Sequence, residues 1–149
     1  MITEVSAQSH LHVMTFNIRY NTMADSSNAW PYRKDKVASQ ILFHDARKEK
    51  GEYSAIFYDT TRLQSLQTKT FWLSETPEVA GSKSWDAAIT RIVTWIKFKD
   101  KKTKKIFFAF NTHFDHIGKV ARRESAKILL QKVKEIAGNT PALITGDFN

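Results

Sequence analysis

The feature that most constrains the fold is one clear helical pattern lying between two short apolar runs. In Lys119–Ala137, apolar residues recur at helical spacing, and Gly138 is a natural stop. Ile106–Asn111 precedes this segment and is typical of a strand, and Ala142–Thr145 follows it as a short buried strand. Helices and strands are therefore mixed, which predicts an α/β or α+β class: a sheet-rich sandwich with helices outside.

Strand-like runs outnumber helical ones along the rest of the chain. Leu11–Tyr20 alternates and is rich in β-prone residues, and a helix is predicted between Pro31 and His44. The further predicted strands are Tyr53–Tyr58, Thr68–Leu73 and Ile89–Lys99. The last of these is well suited to pair with Ile106–Asn111 across a lysine-rich tip.

Length and composition bound the class of protein. The chain has 149 residues, which suits one domain, and 42% of them are hydrophobic. It contains no cysteine, which excludes disulfides, thiolate catalysis and cysteine zinc sites. We predict no membrane span, because the longest apolar runs are strand-sized. Residues 1–10 are predicted to be a disordered leader; alternatively, Val5–Gln8 is the scar of an export signal.

The net charge of +8 favours anionic partners such as phosphate esters and nucleic acid. Much of the excess comes from one short stretch between two predicted strands. Its lysines are Lys97, Lys99, Lys101, Lys102, Lys104 and Lys105. A solvated hairpin tip without a partner is the favoured interpretation of this stretch, and a DNA-binding patch is the alternative.

Three clusters of polar residues follow strand-like runs. They are Asn17 with Arg19, then His113 with Asp115 and His116, and finally Asp147 with Asn149. Residues two apart on an extended segment point to the same side, so Asp147 and Asn149 can act on one phosphate. His113 can donate to a phosphoryl oxygen while Asp115 holds its orientation. Two plainer interpretations stay open: His113, Asp115 and His116 as a modest metal site, and Asp147 and Asn149 as turn residues.

Four short motifs occur in an order that resembles the endonuclease/exonuclease/phosphatase family, whose fold is that of pancreatic deoxyribonuclease. The motifs are Thr15–Tyr20, Phe71–Pro77, Asn111–His116 and Ile144–Asn149. Each motif is weak alone, but four in order are specific, and the similarity runs from about residue 11 onward. The resemblance implies a two-sheet β-sandwich flanked by helices that acts as a divalent-metal-dependent phosphoesterase, with Mg²⁺ or Mn²⁺ as cofactor.

The resemblance also assigns roles to individual residues. Asn17 matches an asparagine near the metal and the phosphate. His113 matches the histidine that stabilises the charged phosphoryl group, and Asp147 matches the carboxylate that activates or orients the attacking water and binds metal. Asn149 matches the amide that positions this water and contacts substrate. Arg91 either assists in substrate binding or, as the favoured alternative, forms a structural ion pair.

Two departures from the family pattern lead us to expect residues 11–149 to be a partial domain. A strand–helix unit that carries a Gln-Glu pair, whose glutamate is a metal ligand, is not found after Ala46. Nothing replaces the family's final Ser-Asp-His-like motif after Asn149. The sequence therefore predicts one of two things: a part of a longer, active enzyme, or an inactive remnant of the fold.

Two functions from different classes follow from these expectations. The first is hydrolysis of a phosphodiester or phosphomonoester by in-line attack of water. The alternative is a non-catalytic, basic module that binds phosphate or nucleic acid. The expected partner is a phosphoester substrate, nucleic acid stays open, and the oligomeric state is not predicted. An export-signal scar would indicate a periplasmic or secreted protein, and its absence a cytoplasmic one.

Overall fold

The computed structural model describes residues 54–149 as a continuous stretch, together with four isolated positions, Leu11, Val13, Ser26 and Tyr32. The stretch contains four strands and one helix. In chain order they are β1 (Leu63–Trp72), β2 (Ile92–Asp100), β3 (Ile106–His113), α1 (Lys119–Ala137) and β4 (Ala142–Asp147). The strand predicted at Leu11–Tyr20 and the helix predicted between Pro31 and His44 lie outside the described stretch.

The four strands form one sheet in the order β1-β2-β3-β4. β1 pairs antiparallel with β2, and a bulge at Leu66 shifts their register. β2 and β3 form the predicted hairpin, with Lys99 opposite Ile106 beside its lysine-rich tip. We call residues 101–105 the lysine tip. The side chain of Asp100 fixes this turn by accepting from the backbone N–H groups of Lys102 at 2.8 Å and Thr103 at 3.1 Å.

β3 and β4 are parallel, so the chain between them must cross back along the sheet, and α1 makes that crossover. The helix packs on one face of the sheet, where Phe71, Val93 and Phe110 join Leu129 in the larger core cluster. A smaller cluster around Phe98 covers part of the other face. The predicted helix is confirmed at both of its bounds, because a continuous apolar stripe had a sheet face to cover.

The strand predicted at Tyr53–Tyr58 is wrong for its described part, because residues 54–58 form no regular element. Their polar groups are bonded individually instead: the Ser54 hydroxyl donates to the carbonyl of Ile92, and the Asn111 amide donates to the carbonyl of Ala55. Tyr58 packs edge-on against Phe98, with ring centres 4.7 Å apart. The segment therefore contributes apolar contacts without joining the strand ladder.

The predicted strands that correspond to β1, β2, β3 and β4 are confirmed, with shifted bounds. β1 begins at Leu63, before the predicted start at Thr68, because its polar residues pair along an exposed edge where no apolar alternation marks them. α1 is the one helix of residues 54–149, and it is not long and apolar enough to cross a membrane.

Candidate active site

Two of the predicted site residues lie side by side where two parallel strands end. His113 ends β3, Asp147 ends β4, and the two are register partners. The His113 Nε2 atom is 3.7 Å from the Asp147 Oδ2 atom, and the two side chains are 31% and 36% exposed. Neighbouring parallel strands bring their carboxyl ends to the same edge of a sheet. This edge therefore presents an imidazole and a carboxylate that solvent and a ligand can reach.

Asn149 is tied to the same edge by two hydrogen bonds, and a third joins Phe114 to Asp147. Its backbone N–H donates to the Asp147 carboxylate at 3.1 Å, and its side-chain amide donates to the carbonyl of Phe114 at 2.9 Å. The Phe114 N–H in turn donates to the Asp147 carbonyl at 2.8 Å. Asn149 has a φ of 56°, in the left-handed region that asparagine tolerates. The segment after β3 and the segment after β4 are thus one hydrogen-bonded unit.

Gly146 allows this close approach. Its φ is 146°, and a Cβ atom there would overlap the carbonyl oxygen of Thr112 on β3. Only glycine fits a backbone position with this conformation and so little space. Gly146 therefore brings Asp147 down beside His113.

The carboxylate of Asp115 is buried and fully used within the protein, with 1% exposure. One oxygen accepts from the N–H groups of Ile117 and Gly118, and the other from those of Ala88 and Ile89. Burial acts to raise the pKa of this carboxyl, but the four hydrogen bonds outweigh it and lower the pKa to about 2. Asp115 therefore pins the turn after β3 to the segment before β2.

Arg91 lies against Asp115 and is 3% exposed. Its Nε atom is 3.9 Å from the Asp115 carboxylate, and its Nη2 atom is 3.1 Å from Nδ1 of His116. Of the two predicted alternatives for Arg91, the structure contains the ion pair. Its predicted role in substrate binding stays a prediction. Because Arg91 is buried, such a role would be indirect, through the side chains that it contacts.

A second aspartate, Asp86, completes the link between these segments. It accepts from the backbone N–H groups of Val120 at 3.2 Å and Ala121 at 2.7 Å, so it caps α1 from a distant loop. The hydrogen bond from Ala121 is the main reason that the pKa of Asp86 is lowered. Gly118 permits the approach, because a Cβ atom there would lie 2.6 Å from the Asp86 carboxylate.

Asp86 is not among the residues predicted from the sequence. A signal was available, because the helix pattern begins after Ile117-Gly118 without Ser, Thr, Asp or Asn in the capping position. A helix without a local cap needs an acceptor from elsewhere in the chain.

The described residues fit a divalent cation only in part. Asp147 offers half-exposed carboxylate oxygens, which Mg²⁺ and Mn²⁺ prefer. Between residues 54 and 149, no three His, Asp or Glu side chains are grouped closely enough to hold a metal. The metal site considered for His113, Asp115 and His116 is therefore not formed, because Asp115 is turned toward backbone N–H groups. Asn17, the other predicted metal ligand, lies outside the described residues.

Comparison with known proteins identifies the relatives of this chain. No protein-family model matches the sequence. An uncharacterised protein of Acanthamoeba polyphaga mimivirus is 32% identical over 98 residues, which are 63% of this chain and 36% of that protein.

Three solved structures match more of the chain. An endonuclease/exonuclease/phosphatase from Bacteroides vulgatus is 43% identical, with a TM-score of 0.82, over 91% of this chain and 64% of that one. A family member from Bacteroides thetaiotaomicron is 38% identical, with a TM-score of 0.79, over 89% and 61%. A mannosyl-6-phosphatase from the same organism is 38% identical, with a TM-score of 0.78, over 89% and 63%.

The chain thus spans somewhat less than two thirds of the length of these structures. Their identity and their shared fold confirm the predicted resemblance and the predicted mixed α/β class. Over the part of the fold that it spans, the chain is similar in sequence and structure to members of the endonuclease/exonuclease/phosphatase family.

Proposed function

We propose that this chain belongs to a metal-dependent phosphoesterase that hydrolyses a phosphoester by in-line attack of water. The observation that carries the proposal is the pair formed by His113 and Asp147, with Nε2 and Oδ2 3.7 Å apart at one open edge of the sheet. A carboxylate and an imidazole so placed can divide between them the two tasks of the reaction, which are to prepare water and to receive charge on phosphate.

The roles follow from how each side chain is held. Asp147 accepts the proton of the attacking water or orients it, since one of its oxygens is held by the Asn149 N–H and the other faces His113. Asn149 positions that water or a substrate oxygen, with its amide orientation fixed by Phe114. His113 donates to a phosphoryl oxygen as negative charge develops there.

A divalent cation is part of the proposal. Mg²⁺ or Mn²⁺ would be held by Asp147 with Asn17 and would supply further positive charge to the phosphoryl oxygens. Arg91 is proposed to serve substrate binding indirectly, through the side chains that its guanidinium contacts.

A small phosphoester is the favoured substrate class. The lysine tip precedes β3 and His113 ends it, so the two lie roughly 25 Å apart at about 3.3 Å per residue. The lysine tip therefore does not adjoin the proposed site. The mannosyl-6-phosphatase relative points in the same direction, toward a sugar phosphomonoester. Nucleic acid and other phosphodiesters are the alternatives for the same site.

Turnover by the purified chain tests the proposal. We expect phosphate release from mannose 6-phosphate or from an activated phosphodiester in the presence of Mg²⁺ or Mn²⁺, and its loss with EDTA. Asp147→Asn should lower kcat by about 10²-fold or more, since it removes a proton acceptor. Asp100→Asn is the matched control, because it changes a carboxylate at the opposite end of the sheet.

The alternative, a binding module without catalysis, makes a different prediction for the same sample. It predicts that phosphate or an oligonucleotide binds without any turnover, and that nucleic-acid affinity falls steeply as salt rises. Turnover that survives both EDTA and Asp147→Asn would contradict the proposed mechanism.

A further inference from the structure

The buried side chain of Arg91 contacts the exposed imidazole of His116, close to the proposed site. Arg91 is 3% exposed, and its Nη2 atom is 3.1 Å from Nδ1 of His116, a residue that is itself exposed. Asp115 holds the other side of the guanidinium, with its carboxylate 3.9 Å from Nε. The proposed mechanism gives His116 no task, although the fold places a buried arginine behind it.

The partner of His116 fixes where its ring proton lies. A guanidinium carries five N–H donors and no acceptor, and it stays charged at every ordinary pH. Nδ1 of His116 must therefore accept in this hydrogen bond, which leaves the ring proton on Nε2. Arg91 thus holds His116 in one tautomer, with an N–H donor on the ring nitrogen opposite the contact.

The backbone around His116 is also fixed. Asp115 closes the turn by accepting from the N–H groups of Ile117 at 2.9 Å and Gly118 at 2.7 Å. Two residues before His116, the peptide groups of Phe114 are bonded to Asp147 and Asn149. His116 therefore lies two residues, and at most about 7 Å, along the chain from the unit that holds the proposed catalytic groups.

We propose that His116 is a specificity residue whose Nε2–H donates to an oxygen of the ester substituent, beyond the reacting phosphorus. This inference rests on the proposed function. The phosphoryl group is small, and His113, Asp147 and Asn149 already account for its attack, its charge and its water. A donor within about 7 Å of this unit can reach the next part of the molecule, such as a sugar hydroxyl.

Steady-state kinetics on mannose 6-phosphate with Mg²⁺ tests the role, because a substituent contact and a catalytic group change different constants. His116→Leu should raise KM about tenfold, the value of one lost hydrogen bond, and change kcat by less than about threefold. Inhibition by inorganic phosphate, which has no substituent, should be unchanged. His116→Gln should keep KM close to the wild-type value, since the glutamine amide can donate near the position of Nε2.

Two results would overturn the inference. One is an unchanged KM in His116→Leu. The other is a kcat that falls as far as in His113→Ala, since that would make His116 a catalytic group instead.

NMR of the ring nitrogens separates this inference from the proposed function. In the wild-type chain we expect Nδ1 of His116 without a proton and Nε2 with one, and a shift of Nε2 when mannose 6-phosphate is added. If the chain shows no turnover but Nε2 shifts, the proposed activity fails and the contact stands. If turnover occurs and Nε2 does not shift, the activity stands and the contact fails. If neither is seen, both fail.

Discussion

The two ends of the sheet use the same device with different partners. At each end an aspartate beside a strand accepts from the backbone N–H groups of the turn that follows it, and an arginine lies close by. At the site end these residues are Asp115 and Arg91, and at the tip end they are Asp100 and Arg62. Both carboxyls have a lowered pKa.

The difference lies in where the backbone N–H donors come from and in how far the arginine is buried. Asp100 accepts from the N–H groups of Lys102 and Thr103, two and three residues further on, and from the side chain of Arg62, which is 38 residues away in the chain and 26% exposed. Asp115 also bonds Ala88 and Ile89, from 27 and 26 residues away, and its arginine is 3% exposed. The turn at the tip is therefore closed by N–H donors of its own, beside a partly exposed arginine. The site end is a long-range junction, and stiffness is what a catalytic constellation requires.

Glycine substitutions should show the largest contrast between the two ends. Gly146→Ala puts a Cβ atom into the Thr112 carbonyl at the site end, which combines overlap with backbone strain. We expect it to lower the free energy of unfolding by about 4 kcal/mol, measured by urea denaturation. Gly138→Ala, at the other end of the crossover, has a φ of 56° but open space around it, so its cost should be about 1 kcal/mol. Equal costs would mean that space at Gly146 is unimportant.

Removing each aspartate gives the next largest contrast. Asp115→Ala leaves Arg91 buried without its carboxylate and four N–H groups without their acceptor, so the free energy of unfolding should fall by about 3 kcal/mol. Asp100→Ala should cost clearly less, because Arg62 and the tip N–H groups reach water. Thermal or urea unfolding of both variants decides this. A larger loss in Asp100→Ala would reverse the comparison.

Acid should weaken the site end through Asp115. The pKa of this carboxyl is lowered from 3.8 to about 2 in the folded chain, so its contribution to stability is complete above about pH 4 and is lost as the pH falls toward 2. Urea unfolding at several pH values between 5 and 2 should show this decline in the wild type. Asp115→Asn, which cannot titrate there, should show a shallower decline. Parallel curves for the two proteins would exclude Asp115 as the cause.

Charge reversal at the lysine tip should have the smallest effect. Lys102→Glu combined with Lys105→Glu changes exposed residues at the end of the sheet far from His113. We expect unchanged stability and an unchanged KM for a small phosphoester. A gel-shift titration of an oligonucleotide across a salt series is the sensitive measurement, since a tip that bound nucleic acid would lose affinity and salt dependence in this variant.

The elements that sequence patterns predicted well are those whose periodicity is set by a buried face. The bounds of α1 follow from its apolar stripe and Gly138, and the hairpin of β2 and β3 follows from apolar alternation on both sides of the tip. The start of β1 could not be predicted, because its exposed polar residues satisfy the ladder without burying anything. The error at residues 54–58 has the opposite cause, since apolar side chains there pack without strand pairing.

The candidate site was predictable to the extent that it follows strand ends. His113 and Asp147 are neighbours because β3 and β4 are parallel. The order of the four motifs, through the family resemblance, indicated that they share a site. Their spacing in the sequence alone did not. The inward turn of Asp115 was not predictable, because the same His-x-Asp-His spacing suits a metal site equally well. Two of the N–H groups that donate to it, those of Ala88 and Ile89, come from a loop that only the folded sheet brings near.

The α1 crossover also has a consequence for the order of folding. Phe114 and Asn149 are 35 residues apart in the chain yet share a hydrogen bond, so the loop between them must close before the site exists. Closing a loop of this length costs about 3 kcal/mol of chain entropy, which the pairing of β4 with β3 and the docking of α1 on the sheet offset. The β2–β3 hairpin needs no such closure and can form first. The geometry of the proposed site should therefore appear late in refolding, once β4 has paired with β3 and the helix has docked.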